Sequence, residues 1–160
     1  MRNSRRGSVD PFIVMDVMEA ARQAEAAGRH VIHMEVGQPS TPAPAAARDA
    51  LSRAMQNDSL GYTVALGLPE LRKRIASLYG DWYNVDLEPA RVVVTPGSSG
   101  GFVLAFTALF DAGDRIALGA PGYPSYRQIL KAQDLVPVEV QTSAKNRLQL
   151  VPQDLEGIDY

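Results

Sequence analysis

The sequence predicts an α/β fold in which parallel strands alternate with helices, and three observations support this prediction. Residues 92–95 contain a continuous β-branched run, Val-Val-Val, which is typical of a strand covered on both faces. The stretch 102–110 is apolar nearly all round, which predicts a buried helix. Strands predicted at 115–118 and 135–140, with a helix over 125–132 between them, complete an alternation that favours parallel pairing with right-handed crossovers.

The N-terminal part is predicted to form one helix and one short strand. Asp10 is placed to cap a helix that starts at Pro11, where the missing N–H of proline is harmless. The helix should run to about Ala27, because Gly28 is a typical C-terminal stop. Side chains then alternate between two faces over residues 30–36, which predicts a strand.

Two further helices are predicted in the middle of the chain. Apolar residues share one helical face over 47–55 and again over 71–82, with Pro69 near the start of the second helix. The loop between them, 57–68, is rich in glycine and carries Tyr62. Three principal parallel strands leave at least one exposed edge, which a compact domain would cover, so we expect the sheet to be incomplete.

The composition is that of an ordinary globular protein and excludes several functional classes. The 160 residues are 46% hydrophobic and 21% charged with a formal net charge of −2, so nucleic acid is not an expected partner. No apolar run approaches the roughly 20 residues that a membrane span needs. There is no cysteine, and the two histidines, His30 and His33, lie too close together to predict a zinc site. A cytoplasmic protein that uses a cofactor or binds a ligand fits best.

The segment 95–101, TPGSSGG, joins a predicted strand to the apolar helix and is a candidate anion site. Small residues expose backbone N–H groups there, and the helix dipole adds positive potential. Ser98 and Ser99 add hydroxyl donors. Taken alone, the segment is explained equally well as a glycine-rich turn that allows close helix–strand packing. It lacks the lysine of a Walker loop and the G-x-G-x-x-G dinucleotide pattern.

The order of these motifs resembles that of the fold-type I, class I/II aminotransferases. Residues 92–126 contain a strand, a small-residue phosphate turn, an apolar helix, a turn, a second strand and a proline–aromatic loop in the family's order, with Ala112 where the turn usually has proline. Upstream, residues 37–39, GQP, resemble the family's substrate loop. The segments 61–63, GYT, and 67–72, GLPELR, resemble its tyrosine and Gly-x-Pro-Glu-Leu-Arg motifs. The resemblance covers almost the whole chain.

The resemblance implies a fold and a division of the chain. Residues 1–45 would form an N-terminal arm and small-domain segment, and residues 46–160 the first part of the large domain that binds pyridoxal 5′-phosphate. The expected architecture is an N-terminal helical segment followed by parallel strands, with helices on both faces and an incomplete sheet. The full protein would be a homodimer in amino acid metabolism that transfers an amino group between an amino acid and a 2-oxo acid.

The resemblance also implies which residues bind the cofactor. Ser98, Ser99 and Gly100 would bind its phosphate, with Ser99 standing where the family often has lysine or threonine. Tyr123 falls where the family stacks an aromatic ring on the pyridine; on its own, it is also explained as a tyrosine that fixes a loop. The Ala120–Pro121 bond is expected to be cis.

Other parts of the resemblance concern the dimer and the substrate. Tyr62 would reach the phosphate of the neighbouring subunit, although a loop tyrosine alone more often only packs. The backbone of Gly37 would lie against the substrate carboxylate, whereas alone it would be a turn residue. The exposed sheet edge and the apolar face of the first helix, with Phe12, Met15 and Met18, predict self-association.

No catalytic residue is expected in this chain. By resemblance, the Schiff-base lysine, the acid beside the pyridine nitrogen and the arginine that holds the substrate all fall beyond Tyr160. The lysines present, Lys73, Lys131 and Lys145, occupy positions typical of solvated surface. We therefore expect the N-terminal portion of an aminotransferase, inactive by itself. Two alternatives stay open: a non-catalytic phosphate-binding, pyridoxal-phosphate-binding or dimerisation module, and an unrelated nucleotide-binding α/β domain.

Overall fold

The computed structural model describes residues 4–160, and their contacts divide into two units. Unit 1 comprises the described part of residues 1–32 together with Pro96–Tyr160, and unit 2 comprises His33–Thr95. The helices are α1 (Ile13–Ala26), α2 (Ala45–Asn57), α3 (Pro69–Tyr83), α4 (Gly97–Leu109) and α5 (Pro124–Ala132). The strands are β1 (Arg115–Ala120) and β2 (Val136–Gln141).

Unit 1 is built on a two-stranded parallel sheet. Strand β1 pairs with β2 from Arg115 opposite Val136 to Ala120 opposite Gln141. Helix α5 connects the two strands. A parallel pair requires such a crossover, because the first strand ends at one end of the sheet and the second strand begins at the other. The predicted parallel β-α-β series and the incomplete sheet are therefore confirmed for the last two strands.

The core of unit 1 lies where α5 packs on β2. Leu130 of α5 is fully buried, and Leu135 and Val140 are each only 5% exposed. The N–H of Leu135 donates to the carbonyl oxygen of Leu130 at 2.9 Å, which turns the chain tightly from the helix toward β2. This apolar cluster anchors the crossover to the sheet.

The N-terminal segment attaches to the end of α5 through two ion pairs. Arg5 donates to a carboxylate oxygen of Asp134 at 2.7 Å, and Lys131 Nζ donates to Asp10 Oδ2 at 2.7 Å. The hydrogen bond from Lys131 holds the pKa of Asp10 below its usual value. Asp10 therefore does not cap α1 as predicted, because its carboxylate is engaged by Lys131; the helix begins two residues later than expected, at Ile13.

Helix α1 ends close to the predicted position, and few of its apolar side chains are shielded from solvent. Gly28 adopts a φ of +82°, a left-handed conformation suited to glycine just after a helix. Of the expected apolar face, Phe12 and Met18 are half-buried, whereas Met15 is 54% exposed. None of the residues in α1 is fully buried.

Unit 2 contains α2 and α3, both at the predicted positions. Its 67–72 motif is explained by a close approach between Gly67 and Val94. Gly67 has a φ of +96°, and a Cβ added there would lie 2.6 Å from Val94 Cβ. The N–H of Val94 donates to Leu66 O at 3.0 Å. Arg72 of α3 donates from its guanidinium to the carbonyl oxygens of Val92 and Pro89, both at 2.8 Å. The motif therefore attaches α3 to the segment 89–94.

The strands predicted at 30–36 and 92–95 are not formed. A strand needs a neighbouring strand to accept its backbone hydrogen bonds, and neither segment has one among residues 4–160. Over 92–95, the N–H of Val94 bonds to the loop residue Leu66 instead. The β-branched run predicted an extended backbone, and Val92 has one. The run alone does not provide the neighbouring strand that a sheet needs.

The expected burial of the apolar helix is also wrong for the described chain. Helix α4 begins at Gly97, five residues before the predicted start, and no residue in it is fully buried. Leu104 is 58% exposed and Leu109 is 72% exposed. A helix that is apolar all round needs cover on every side, and α4 packs mainly against α5.

Truncating the buried leucine of α5 should destabilise the fold strongly. Leu130→Ala should lower the free energy of unfolding by about 2–5 kcal/mol, because a fully buried leucine leaves a cavity. The matched control Leu104→Ala should lower it by less than about 1 kcal/mol, since that side chain is mostly exposed. Urea unfolding followed by circular dichroism measures both, and equal losses in the two variants would contradict this packing.

Candidate cofactor-binding site

The first turn of α4 contains the residues predicted to bind the cofactor phosphate. Gly97 starts the helix with a φ of +76°, and a Cβ added there would strain the backbone. Ser98 and Ser99 are exposed and Gly100 is half-buried, so all three predicted phosphate ligands fall in the first helical turn. The backbone N–H groups of Ser98, Ser99 and Gly100 lie in this first turn, where N–H groups have no partner within the helix, and the turn contains no acidic side chain. The turn can therefore bind an anion.

The tyrosine predicted to stack on the cofactor ring lies just after the carboxyl end of β1. The Ala120–Pro121 bond is cis, as predicted. Tyr123 stands at the N-cap position of α5 and is 49% exposed. Its ring lines a cavity of about 280 Å³ together with Tyr126, Arg127 and Glu139. Arg127 donates to Glu139 Oε1 at 2.6 Å, so an ion pair forms part of the cavity wall.

Backbone contacts hold the loop that presents Tyr123. The main-chain N–H and the hydroxyl of Thr142 both donate to the carbonyl oxygen of Ala120, at 3.0 and 3.1 Å. Gly122 approaches the carbonyl oxygen of Gly119 so closely that an added Cβ would overlap it. The loop therefore requires glycine at position 122.

Aromatic contacts connect the two parts of the site. The rings of Tyr123 and Tyr126 lie 5.2 Å apart, centroid to centroid, at an interplanar angle of 70°. Tyr126 also meets Phe102 of α4 at 4.6 Å and 68°. Tyr126 is not among the residues that the sequence predicts for the site; its i+3 spacing from Tyr123 at the start of a helix is the one signal that points to it.

The other two predicted site residues, Tyr62 and Gly37, belong to unit 2. Tyr62 lies in the loop between α2 and α3 with a fully exposed side chain. A Cβ added at Gly37 would meet no atom of the chain within 4 Å, so the described fold does not itself require glycine there. Just before it, His33 Nδ1 lies 2.7 Å from Glu35 Oε1, and this hydrogen bond lowers the pKa of Glu35. The roles of Tyr62 and Gly37 stay predictions.

None of the described lysines lines the cavity beside Tyr123. Lys131 is paired with Asp10, while Lys73 and Lys145 are exposed. Within residues 4–160 there is also no group of three His, Cys, Asp or Glu side chains that could hold a metal ion. The features that the described residues provide are a helix start without acidic side chains and a half-exposed tyrosine ring.

Comparison with known proteins decides the family. The family model for aminotransferase class I and II matches residues 29–158. The chain belongs to the class I and II aminotransferases. It is 46% identical over 158 residues to a valine–pyruvate aminotransferase of Mycobacterium tuberculosis, covering 99% of this chain and 41% of that protein. It is 31% identical over 152 residues to an aspartate aminotransferase of Geobacillus stearothermophilus, covering 95% of this chain and 39% of that protein.

Solved aminotransferase structures share the fold. An aminotransferase from Mycobacterium tuberculosis superposes with a TM-score of 0.93 at 46% identity, covering 99% of this chain and 41% of that one. The aspartate aminotransferase of Thermotoga maritima gives a TM-score of 0.86 at 29% identity, covering 98% of this chain and 42% of that one. The chain therefore has the fold of an aminotransferase N-terminal portion and spans about 40% of its relatives' length. None of its described helices is long and apolar enough to cross a membrane.

Adding a methyl group at the tight loop of this aminotransferase chain should disturb the site. Gly122→Ala should lower the free energy of unfolding by about 1–3 kcal/mol, because its Cβ would overlap the carbonyl oxygen of Gly119. Gly7→Ala is the matched control: its Cβ would meet nothing within 4 Å, so stability should be unchanged or slightly raised. Chemical denaturation of both variants tests this, and an unchanged free energy for Gly122→Ala would show that the loop adapts.

Proposed function

We propose that the protein acts in pyridoxal-phosphate-dependent transfer of an amino group between an amino acid and a 2-oxo acid. The observation that carries the proposal is the pairing, within unit 1, of an anion-binding helix start with a half-exposed tyrosine ring. Ser98 and Ser99 lie in the first turn of α4, and Tyr123 is linked to the same helix through Tyr126 and Phe102. A phosphorylated aromatic cofactor needs both features.

The residues of unit 1 fit the two ends of this cofactor. The phosphate would accept hydrogen bonds from the Ser98 and Ser99 hydroxyls and from the backbone N–H groups of Ser98, Ser99 and Gly100. Tyr123 would stack on the pyridine ring, which suits a flat side chain with an apolar face and a polar tip. When bound, the cofactor supplies an electron sink for carbanionic chemistry at the substrate.

Two residues of unit 2, Tyr62 and Gly37, are proposed to take part as well, and this part of the proposal rests on the family resemblance. Tyr62 would donate to the phosphate bound by the neighbouring subunit of a homodimer. Its fully exposed side chain agrees with a partner outside the described chain. The backbone of Gly37 would lie against the substrate carboxylate, where the open space around this glycine suits a ligand.

The substrate pair is proposed from the relatives. The Mycobacterium tuberculosis relative at 46% identity is a valine–pyruvate aminotransferase, whereas aspartate aminotransferases from four organisms match at 29–35%. Valine with pyruvate is therefore the first pair to test, before aspartate with a 2-oxo acid. A cytoplasmic location, expected from the cysteine-free composition, belongs to the same proposal.

We further propose that the 160-residue chain binds the cofactor reversibly and is inactive by itself. Covalent capture of the aldehyde needs an amine that is both close and unprotonated, and an ordinary lysine, with a pKa of about 10.4, is mostly protonated at neutral pH. Lys131 is engaged by Asp10, and neither Lys73 nor Lys145 lines the cavity beside Tyr123, so no described lysine lies close to the proposed ring site.

Placing a negative charge in the phosphate site should prevent cofactor binding. Ser99→Asp should weaken the binding of pyridoxal phosphate by roughly 100-fold or more, because two like charges about 4 Å apart near a protein surface repel by ~4 kcal/mol. Ser52→Asp on exposed α2 introduces the same charge and should change nothing. Absorbance titration measures cofactor binding. Borohydride reduction followed by mass spectrometry measures covalent attachment to a lysine, and an assay with valine and pyruvate measures turnover.

The outcomes separate the parts of this proposal. Reversible binding that Ser99→Asp abolishes, without labelling or turnover, would support it. Stoichiometric labelling of one lysine would refute the inactivity and make Lys73, Lys131 or Lys145 a catalytic candidate. Binding of equal strength in both serine variants would refute the phosphate site.

Self-association is the last part of the proposal and follows from exposed apolar side chains. Ile13 and Met15 of α1 are 71% and 54% exposed, and such residues favour burial between copies. We expect dimers by light scattering at high concentration, and Met15→Glu should shift them toward monomer. Ala20→Glu, an exposed position on the same helix, is the control. A monomeric wild-type chain at high concentration would overturn this expectation.

A further inference from the structure

We propose that Tyr126 is a positioning residue that holds the stacking ring of Tyr123 at a fixed place relative to the phosphate-binding turn. The inference rests on the proposed cofactor site and adds a residue to it. Tyr126 would not touch the phosphate; it would act through its ring contacts with Tyr123 and with Phe102.

The first step is the geometry of the three rings. Tyr126 meets Tyr123 at an interplanar angle of 70° and Phe102 at 68°, so both contacts are edge-to-face. This arrangement is favoured because the positive edge of one ring faces the negative face of another. Each contact therefore restrains the orientation of the rings as well as their separation.

The second step is the contrast in exposure between the two tyrosines. Tyr123 is 49% exposed, whereas Tyr126 is half-buried between its two aromatic neighbours. An exposed ring on a loop samples several rotamers unless a neighbour restrains it. Tyr126 supplies that restraint, and the exposed part of Tyr123 stays accessible to a ligand.

The third step is the position of Phe102 on α4. It follows Ser98 and Ser99 by about one helical turn, so it is rigidly connected to the phosphate-binding residues through the helix backbone. The contacts from Phe102 to Tyr126 and from Tyr126 to Tyr123 therefore fix the distance and orientation of the Tyr123 ring relative to the first turn of α4. A ligand with both a phosphate and an aromatic ring depends on that relation, whereas inorganic phosphate does not.

This difference between the two ligands defines the experiment. The full chain is titrated by calorimetry with inorganic phosphate and with pyridoxine 5′-phosphate, which lacks the aldehyde and cannot attach to a lysine. In Tyr126→Leu, we expect pyridoxine phosphate to bind about three- to tenfold more weakly, while the affinity for inorganic phosphate stays within about twofold. Because the contacts use the ring, Tyr126→Phe should keep both affinities. Tyr79→Leu is the matched control, since Tyr79 makes a similar ring contact with Tyr83 at 5.5 Å within α3.

The outcomes distinguish this inference from the proposed site. If wild-type chain binds neither ligand, the cofactor site is wrong and the inference fails with it. If wild-type chain binds both and Tyr126→Leu binds both equally well, the site stands and the positioning role is wrong. If Tyr126→Leu loses both ligands, or its far-ultraviolet circular dichroism changes, the residue supports the fold rather than the ring, and the inference is also wrong. Selective loss of pyridoxine phosphate, rescued in Tyr126→Phe, supports it.

Discussion

Parallel pairing between β1 and β2 constrains the rest of unit 1. Parallel neighbours cannot be joined by a tight turn, so the chain must return along the sheet, and α5 does this with Leu130 buried against the strands. Because α5 begins almost directly after β1, the residue at its N-cap, Tyr123, is presented at the carboxyl end of the strand. Ligands of open α/β sheets bind at this end, so the position of the site follows from the strand pairing.

Within unit 1, the first turn of α4 and the ring of Tyr123 are connected through side-chain contacts and not through the backbone hydrogen bonds of the sheet. Helix α4 reaches the stacking loop through Phe102 and Tyr126, while Thr142 holds the loop from the segment after β2. The close approach of Gly122 to Gly119 removes the room that a side chain would need. The loop is thus restrained from both sides, which agrees with a role in aiming one exposed ring.

Local patterns in the sequence predicted the helices, β1, β2 and the parallel series, because these depend on periodicity and turn residues close in the chain. The strands expected at 30–36 and 92–95 needed neighbouring strands, and the burial of α4 needed other elements packed around it. A local sequence pattern does not show whether such neighbours are present. The site shows the same division. The motif order pointed to Ser98 and Tyr123, whose cofactor roles stay predictions, whereas the ring contact of Tyr126 with Phe102 joins two helices, which a single sequence does not reveal.

The motifs that mark the family do not all carry its chemistry. In unit 2, Gly67 allows the close approach of Val94, and Arg72 binds two backbone carbonyl groups, so the 67–72 motif explains how α3 is attached and says nothing of amino transfer. Family membership rests on the whole pattern, whereas activity needs an amine held beside the cofactor aldehyde. In the described chain, Lys131 is used in the ion pair that attaches the N-terminal segment to α5. Binding the cofactor and reacting with it need different residues, so the two parts of the proposed function can be tested separately.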